Sequence, residues 1–148
     1  MMAGRAILTA INDGAKIQEA QLTALAGETL ERIQRFQEFG FSSNPPVGTE
    51  GILISLGGVR GNSVIVATDN RNFGIVNQAP GECAIYTDDG TYIKLKKAGQ
   101  VELKTATLLT IDAPNTLIKG HVTIDQTLLV KGNTELRGTL LVKENATF

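Results

Sequence analysis

One histidine, one cysteine and a few short acidic or glycine-rich stretches are all that this sequence offers for chemistry. His121 is the sole imidazole, so a Ser-His-Asp relay has no choice of base and a zinc site has one imidazole per chain. It falls on the polar side of an alternating stretch, where three copies could meet only if they pointed at a shared axis. Cys83 precedes an apolar strand and reads as a small core residue; alone, it excludes an internal disulfide and a multi-cysteine zinc site. Asp88-Asp89 looks like a paired carboxylate, yet Gly90 makes it turn chemistry. Asp69-Asn70-Arg71-Asn72 is a polar loop without a full calcium ligand set. Gly57-Gly58-Val59-Arg60-Gly61-Asn62 lacks the Lys-Ser/Thr ending of a phosphate loop and reads as a hairpin turn. No acid–base constellation emerges, so no catalytic, cofactor or metal residues are assigned, and an enzyme is not expected.

The elements that would carry these residues are short strands. Ala6 to Ile11 is followed by the Asn12-Asp13-Gly14 turn, and Lys16 to Leu25 can pair back. Thr29 to Gly40 is ambiguous: Leu30, Ile33 and Phe36 fall at helical spacing, whereas Ile33, Phe39 and Phe41 would serve one face of a strand. Periodicity alone favours the helix slightly. Ser42 to Gly48, with Pro45-Pro46, is a rigid connector. Gly51 to Leu56 and Ser63 to Thr68 then form a hairpin, as do Glu82 to Thr87 and Thr91 to Lys97 around Asp88-Asp89-Gly90. Five or six short strands in this span predict a small closed barrel of the OB-fold kind over residues 1–97.

From residue 98 to 148 the pattern changes to a repeat of twelve. Leu117, Leu129 and Leu141 recur in register, as do Lys119, Lys131 and Lys143, and Ile118, Val130 and Val142. Between Ile118 and Val142 even positions are mostly apolar and odd positions mostly polar, apart from the register leucines. Upstream, Val101, Leu103, Leu109, Ile111 and Ala113 hold the apolar side on odd positions, and the parity changes across Pro114-Asn115. Twelve residues give a contour of only about 40 Å. A one-chain triangular coil would therefore have sides of about four residues, shorter than ordinary strands. Three chains wound together solve this, each supplying one wall and sending its apolar face to a common axis. An intertwined homotrimeric β-prism is the favoured architecture; a single-chain β-solenoid or sandwich remains the alternative.

Composition agrees and excludes several classes. The chain has 148 residues and a formal net charge of -1, so no global basic field draws it to nucleic acid or anionic lipid. A basic groove with interleaved aromatics is also missing, and no nucleic-acid partner is expected. Met1 to Asn12 lacks the order of a secretory signal. No apolar run approaches the roughly 20 residues of a membrane helix.

Several short motifs then fall in one order. Arg35-Phe-Gln-Glu-Phe-Gly-Phe-Ser-Ser-Asn-Pro45-Pro46 is followed by Gly48-Thr-Glu-Gly51, then by Gly57-Gly58-Val-Arg-Gly61-Asn-Ser-Val-Ile-Val-Ala-Thr-Asp69. Pro80-Gly81-Glu-Cys-Ala-Ile-Tyr86 and Asp88-Asp89-Gly90 complete the series. Over about residues 5–97 this order resembles the central spike, or baseplate assembly protein V, of Mu-like contractile-tailed bacteriophages. The resemblance implies an all-β homotrimer, with an N-terminal OB-fold that seats on the baseplate hub protein. A C-terminal triple-stranded β-helix would puncture the host outer membrane during sheath contraction. It also implies a place in the virion tail baseplate after synthesis in the host cytoplasm, and extended structure over Thr29 to Gly40. A tailocin or type VI secretion-like needle, or an OB-fold binding module on a β-stalk, are the alternatives. Members of that family commonly close their tip with a His-x-His motif that holds iron. Lys143-Glu-Asn-Ala-Thr-Phe148 has no such motif, so no metal ligands are carried over. A separate tip protein, a blunter point or a longer product are the three ways to account for this.

Overall fold

The structure is a computed structural model that describes residues 2–24 and 27–143. It divides into two compact units, Met1–Leu109 and Thr110–Phe148.

In the first unit β1 (Met2–Asn12), β2 (Glu19–Thr23), β3 (Thr29–Arg35), β4 (Glu50–Ser55) and β5 (Ser63–Asp69) close a barrel in the order β1-β2-β3-β5-β4. All neighbours are antiparallel except β3 and β5, which run parallel at Gln34↔Val64 and Arg35↔Ile65. Strand alternation sends Ala6, Leu8, Ala20, Leu22, Ile33, Leu53 and Ile65 into one buried core, with Ile11, Ala24 and Leu30 packed around it. A Cβ on Gly51 would lie 3.2 Å from Leu8 Cδ1 and 3.5 Å from Ile65 Cγ2, so the glycine lets those two side chains fill the barrel centre.

Thr29 to Arg35 is a strand, against the slight preference of its periodicity for a helix. The cause is a β-bulge. Leu30 pairs with Leu22 and Ile33 with Ala20, so Glu31 and Arg32 together oppose Gln21. Arg32 takes the left-handed conformation (φ 56) to accommodate the extra residue. Both Leu30 and Ile33 then face the core at a spacing of three, which imitates a helical face. A second register shift, between Leu8 and Ala10 of β1, similarly brings Leu8 and Ile11 to one side. Gln21 links the two irregularities, accepting from Thr9 Oγ1 (3.1 Å) and donating to Glu31 Oε1 (3.2 Å).

Only five strands belong to the barrel. The later hairpin, β6 (Cys83–Tyr86) and β7 (Tyr92–Lys96), joins β8 (Gln100–Lys104) in a separate three-stranded antiparallel sheet. Ala98 (φ 61) and Gly99 (φ 70) make the tight turn that sends β8 back along β7. Residues 98 and 99, where the repeat region read from the sequence starts, lie in this turn, and the first compact unit runs to Leu109.

The second unit has no strand among its described residues, and every one of them is exposed. Ile118 is 65% exposed and Leu136 62%. The register leucines and the even-numbered apolar row are equally uncovered, so neither a solenoid nor a sandwich forms within the single chain over residues 110–143.

Candidate functional site

The residues that sequence singled out do not converge. His121 lies in the exposed tail. Gly57 (φ 63) and Gly58 (φ 78) sit in the turn joining β4 to β5, and Arg60 beside them pairs with Glu28 at 3.0 Å. Asp89 closes the β6–β7 turn: Thr87 Oγ1 donates to it, and the Thr91 N–H donates at 3.0 Å. These bonds, the Thr87 hydroxyl first, hold its carboxyl below the ordinary carboxylate range. In the Asp69–Asn72 loop, Asn70 Nδ2 donates to Thr49 Oγ1 (3.0 Å) and Arg71 Nε pairs with Glu50 (2.8 Å), which ties the loop to the barrel. Cys83 is exposed in the single chain rather than buried, because alternation along β6 puts it on an uncovered side of the three-stranded sheet. Among the described residues no group of three His, Cys, Asp or Glu side chains stands close enough to hold a metal ion.

Sequence reasoning missed a polar knot on the barrel. Arg35, at the end of β3, is 9% exposed. Its Nη1 donates to Gln18 Oε1 (2.7 Å) and the Ser43 carbonyl (2.9 Å). Its Nη2 donates to Ser43 Oγ and Thr68 Oγ1, both at 3.0 Å. Gln18 Nε2 in turn donates to Asp13 Oδ1 (2.6 Å) and to the Ser43 carbonyl (3.1 Å). Burial lowers the Arg35 pKa and the Asp13 charge opposes that shift; a guanidinium remains protonated regardless. The knot fastens the Ser42–Gly48 connector to the β1–β2 turn, β3 and β5. No local signal could have revealed it, since its partners lie far apart in sequence.

A second polar set braces the three-stranded sheet. Glu82 accepts from the Lys97 N–H (3.2 Å) and the Ala79 N–H (3.1 Å) and faces Lys94 Nζ at 3.6 Å. Glu102 accepts from Tyr92 Oη and from Lys96 Nζ (3.2 Å). The two backbone N–H groups hold Glu82 below the usual carboxylate range, and the Tyr92 hydroxyl does the same for Glu102. Depressed carboxylate values contribute stability above the unfolded-state pKa, and this is lost as pH falls through the folded value. The thermal midpoint should therefore fall on acidification from about pH 6 to about pH 3. A Glu82→Gln, Glu102→Gln double variant should show a flatter profile; an unchanged slope would contradict the assignment.

These arrangements brace and fasten; none presents a nucleophile with a base, or a cluster of ligands. The molecule is an all-β protein with a closed five-stranded barrel, and the described residues of its C-terminal tail, 110–143, are all exposed in the single chain. The sequence profile of the family described as Bacteriophage Mu Gp45, N-terminal, matches residues 5–72. The "Baseplate puncturing device gp45" of Escherichia phage Mu is 32% identical over 135 residues, covering 86% of this chain and 68% of that relative. The "Mu-like prophage FluMu protein gp45" of Haemophilus influenzae is 29% identical over 137 residues, covering 84% of this chain and 75% of that relative. The chain belongs to the bacteriophage Mu gp45 family.

Proposed function

We infer that this protein is a structural spike component of a contractile-tail baseplate and resides in the virion tail baseplate. The observation that carries this reading is the similarity to the phage Mu puncturing device across both the barrel and the tail. The barrel's strand order, with β3 and β5 as its one parallel pair, supports an OB-fold as the module that seats on the hub protein. The exposed apolar rows of residues 110–143 support a homotrimer, because a lone chain leaves Ile118, Val130 and Val142 in water. In that reading three tails wind into a triple-stranded β-helix with their even-numbered residues on the axis.

Such a shaft performs its task mechanically. Sheath contraction supplies the work, and the spike transmits axial force to the host outer membrane without unfolding. Ladder hydrogen bonds contribute about 1 kcal/mol each and act in number. Burial of Ile, Val and Leu from three chains adds about 25 cal/mol per Å². Closure leaves no strand edge to aggregate. No His-x-His occurs in the 148 residues, so no metal ligands are assigned among them. The absence of that motif from Lys143 to Phe148 concerns residues of which 144–148 lie outside the described ones. Sedimentation equilibrium of the whole chain should give the mass of three copies. A single-chain mass would remove the shaft and with it this reading.

A further inference from the structure

The barrel is closed least completely between β3 and β5. Those strands pair only at Gln34↔Val64 and Arg35↔Ile65, and a bond from the Phe36 N–H to the Ile65 carbonyl at 3.0 Å ends their contact. Beyond it the chain leaves β3 toward the Ser42–Gly48 connector, while β5 runs on to Asp69 paired with β4 alone. From Val66 to Asp69 the edge of β5 that turns away from β4 therefore has no strand beside it. A groove of about 540 Å³ lies here, lined by Val66 and Ala67 of β5 and by Phe36, Glu38 and Phe41 of the departing chain. Phe36 is 55% exposed, Phe41 64% and Val66 45%. The departing chain is held in place: Arg35 binds Ser43, Gln37 Oε1 accepts from the Ser43 N–H (2.8 Å), and the Phe41 N–H donates to the Glu38 carbonyl (3.0 Å).

We propose that this groove receives an extended segment of a partner protein, which adds to β5 as one more strand. An open strand edge presents main-chain donors and acceptors at fixed spacing, and an extended peptide satisfies them along the row. Val66 to Asp69 span about 13 Å at about 3.3 Å per residue, room for a pairing of about four residues. Alternate side chains of the incoming strand would fall against Phe36 and Phe41, so the segment should alternate apolar and polar residues. Charge adds a second requirement. Glu38 lines the groove and Asp69 ends the strand, and neither has an ion-pair partner among the described residues. Arg35, the cation nearest to them, is buried and engaged in its own bonds, so the groove suits a segment with basic flanks. A wall that is already fixed loses little freedom on binding. From the spike reading the proposal takes only the partner's identity, the hub protein on which the barrel seats; the mode of attachment stands on the groove.

The probe is the capped peptide Lys-Val-Thr-Phe-Thr-Val-Lys, fluorescently labelled and titrated onto the whole native protein. Saturable binding is expected with a Kd below about 1 mM, and Phe41→Ala should weaken it at least about tenfold. Phe39→Ala, outside the groove lining, should leave it unchanged. Only alternate N–H groups of a strand face its neighbour. N-methylation of the peptide's Phe and of the Thr after it should therefore differ, one abolishing binding and the other sparing it. Amide exchange gives an independent readout. At least one amide among Val66–Asp69 should exchange within about tenfold of the unstructured rate, and slow at least about 100-fold under saturating peptide. No binding at about 1 mM, or equal tolerance of the two N-methylated peptides, overturns the proposal. So does protection of every amide in that stretch before peptide is added, because another copy of the chain would then cover the edge. If Phe41→Ala fails to fold, the methylated pair on the unsubstituted protein still decides. A monomer that binds the peptide sinks the spike reading alone. A trimer that does not bind it sinks only the docking edge.

Discussion

Val130→Asp is expected to convert the protein from three associated chains to one. Val130 stands in the middle of the even-numbered apolar row and is 48% exposed when the chain is alone, so the substitution costs a single chain little. In the wound trimer it would place three carboxylates in one layer around a dry axis. An unpaired buried charge costs several kcal/mol after relaxation, and like charges in one layer raise this further. The threefold multiplies each penalty, so loss of assembly should be complete at micromolar concentration. Lys131→Asp, one residue along and on the polar side, should leave the trimer in place. Sedimentation velocity of both variants reads the outcome directly. A trimeric Val130→Asp protein would mean that the even-numbered row does not line the axis.

Arg35→Ala is expected to be the most damaging single change in the barrel. It removes four donated hydrogen bonds and leaves the Gln18 Oε1 and Ser43 oxygens without that partner. Gln18 Oε1 is the buried acceptor left stranded, at about 1–3 kcal/mol, and losing the charged donor adds to it, so a loss of about 3 kcal/mol is expected. The urea midpoint should fall by an amount equal to this loss divided by the slope. Arg35→Met should recover the stem packing but not the bonds, and so remain well below the parent. Proteolysis should then cut the Ser42–Gly48 connector first, since the knot is what fastens it. An Arg35→Ala protein of parental stability would show the network to be energetically idle.

Local chemistry was legible. Asp88-Asp89-Gly90 forces a tight hairpin, and Gly57-Gly58 takes positive φ where β4 turns toward β5, because backbone geometry at a turn depends on the few residues that make it. Two-residue alternation assigned the strand faces wherever a strand ran without interruption. The same rule failed at β3, where one extra residue opposite Gln21 shifted the parity and produced a helical spacing in an extended chain. It also left β8 inside the tail, since nothing in Gln100 to Lys104 announces that it folds back on β7.

The sequence by itself determined that the first part of this chain is built of short strands and that a twelve-residue apolar repeat follows it. Only the tertiary structure decided which strands close the barrel, that Arg35 meets Gln18, Ser43 and Thr68, and that Cys83 stands on an open apolar face. The physical reason is range. Turns and alternation are set by neighbours, whereas barrel closure and the burial of a charge depend on surfaces that meet only after distant segments have been brought together.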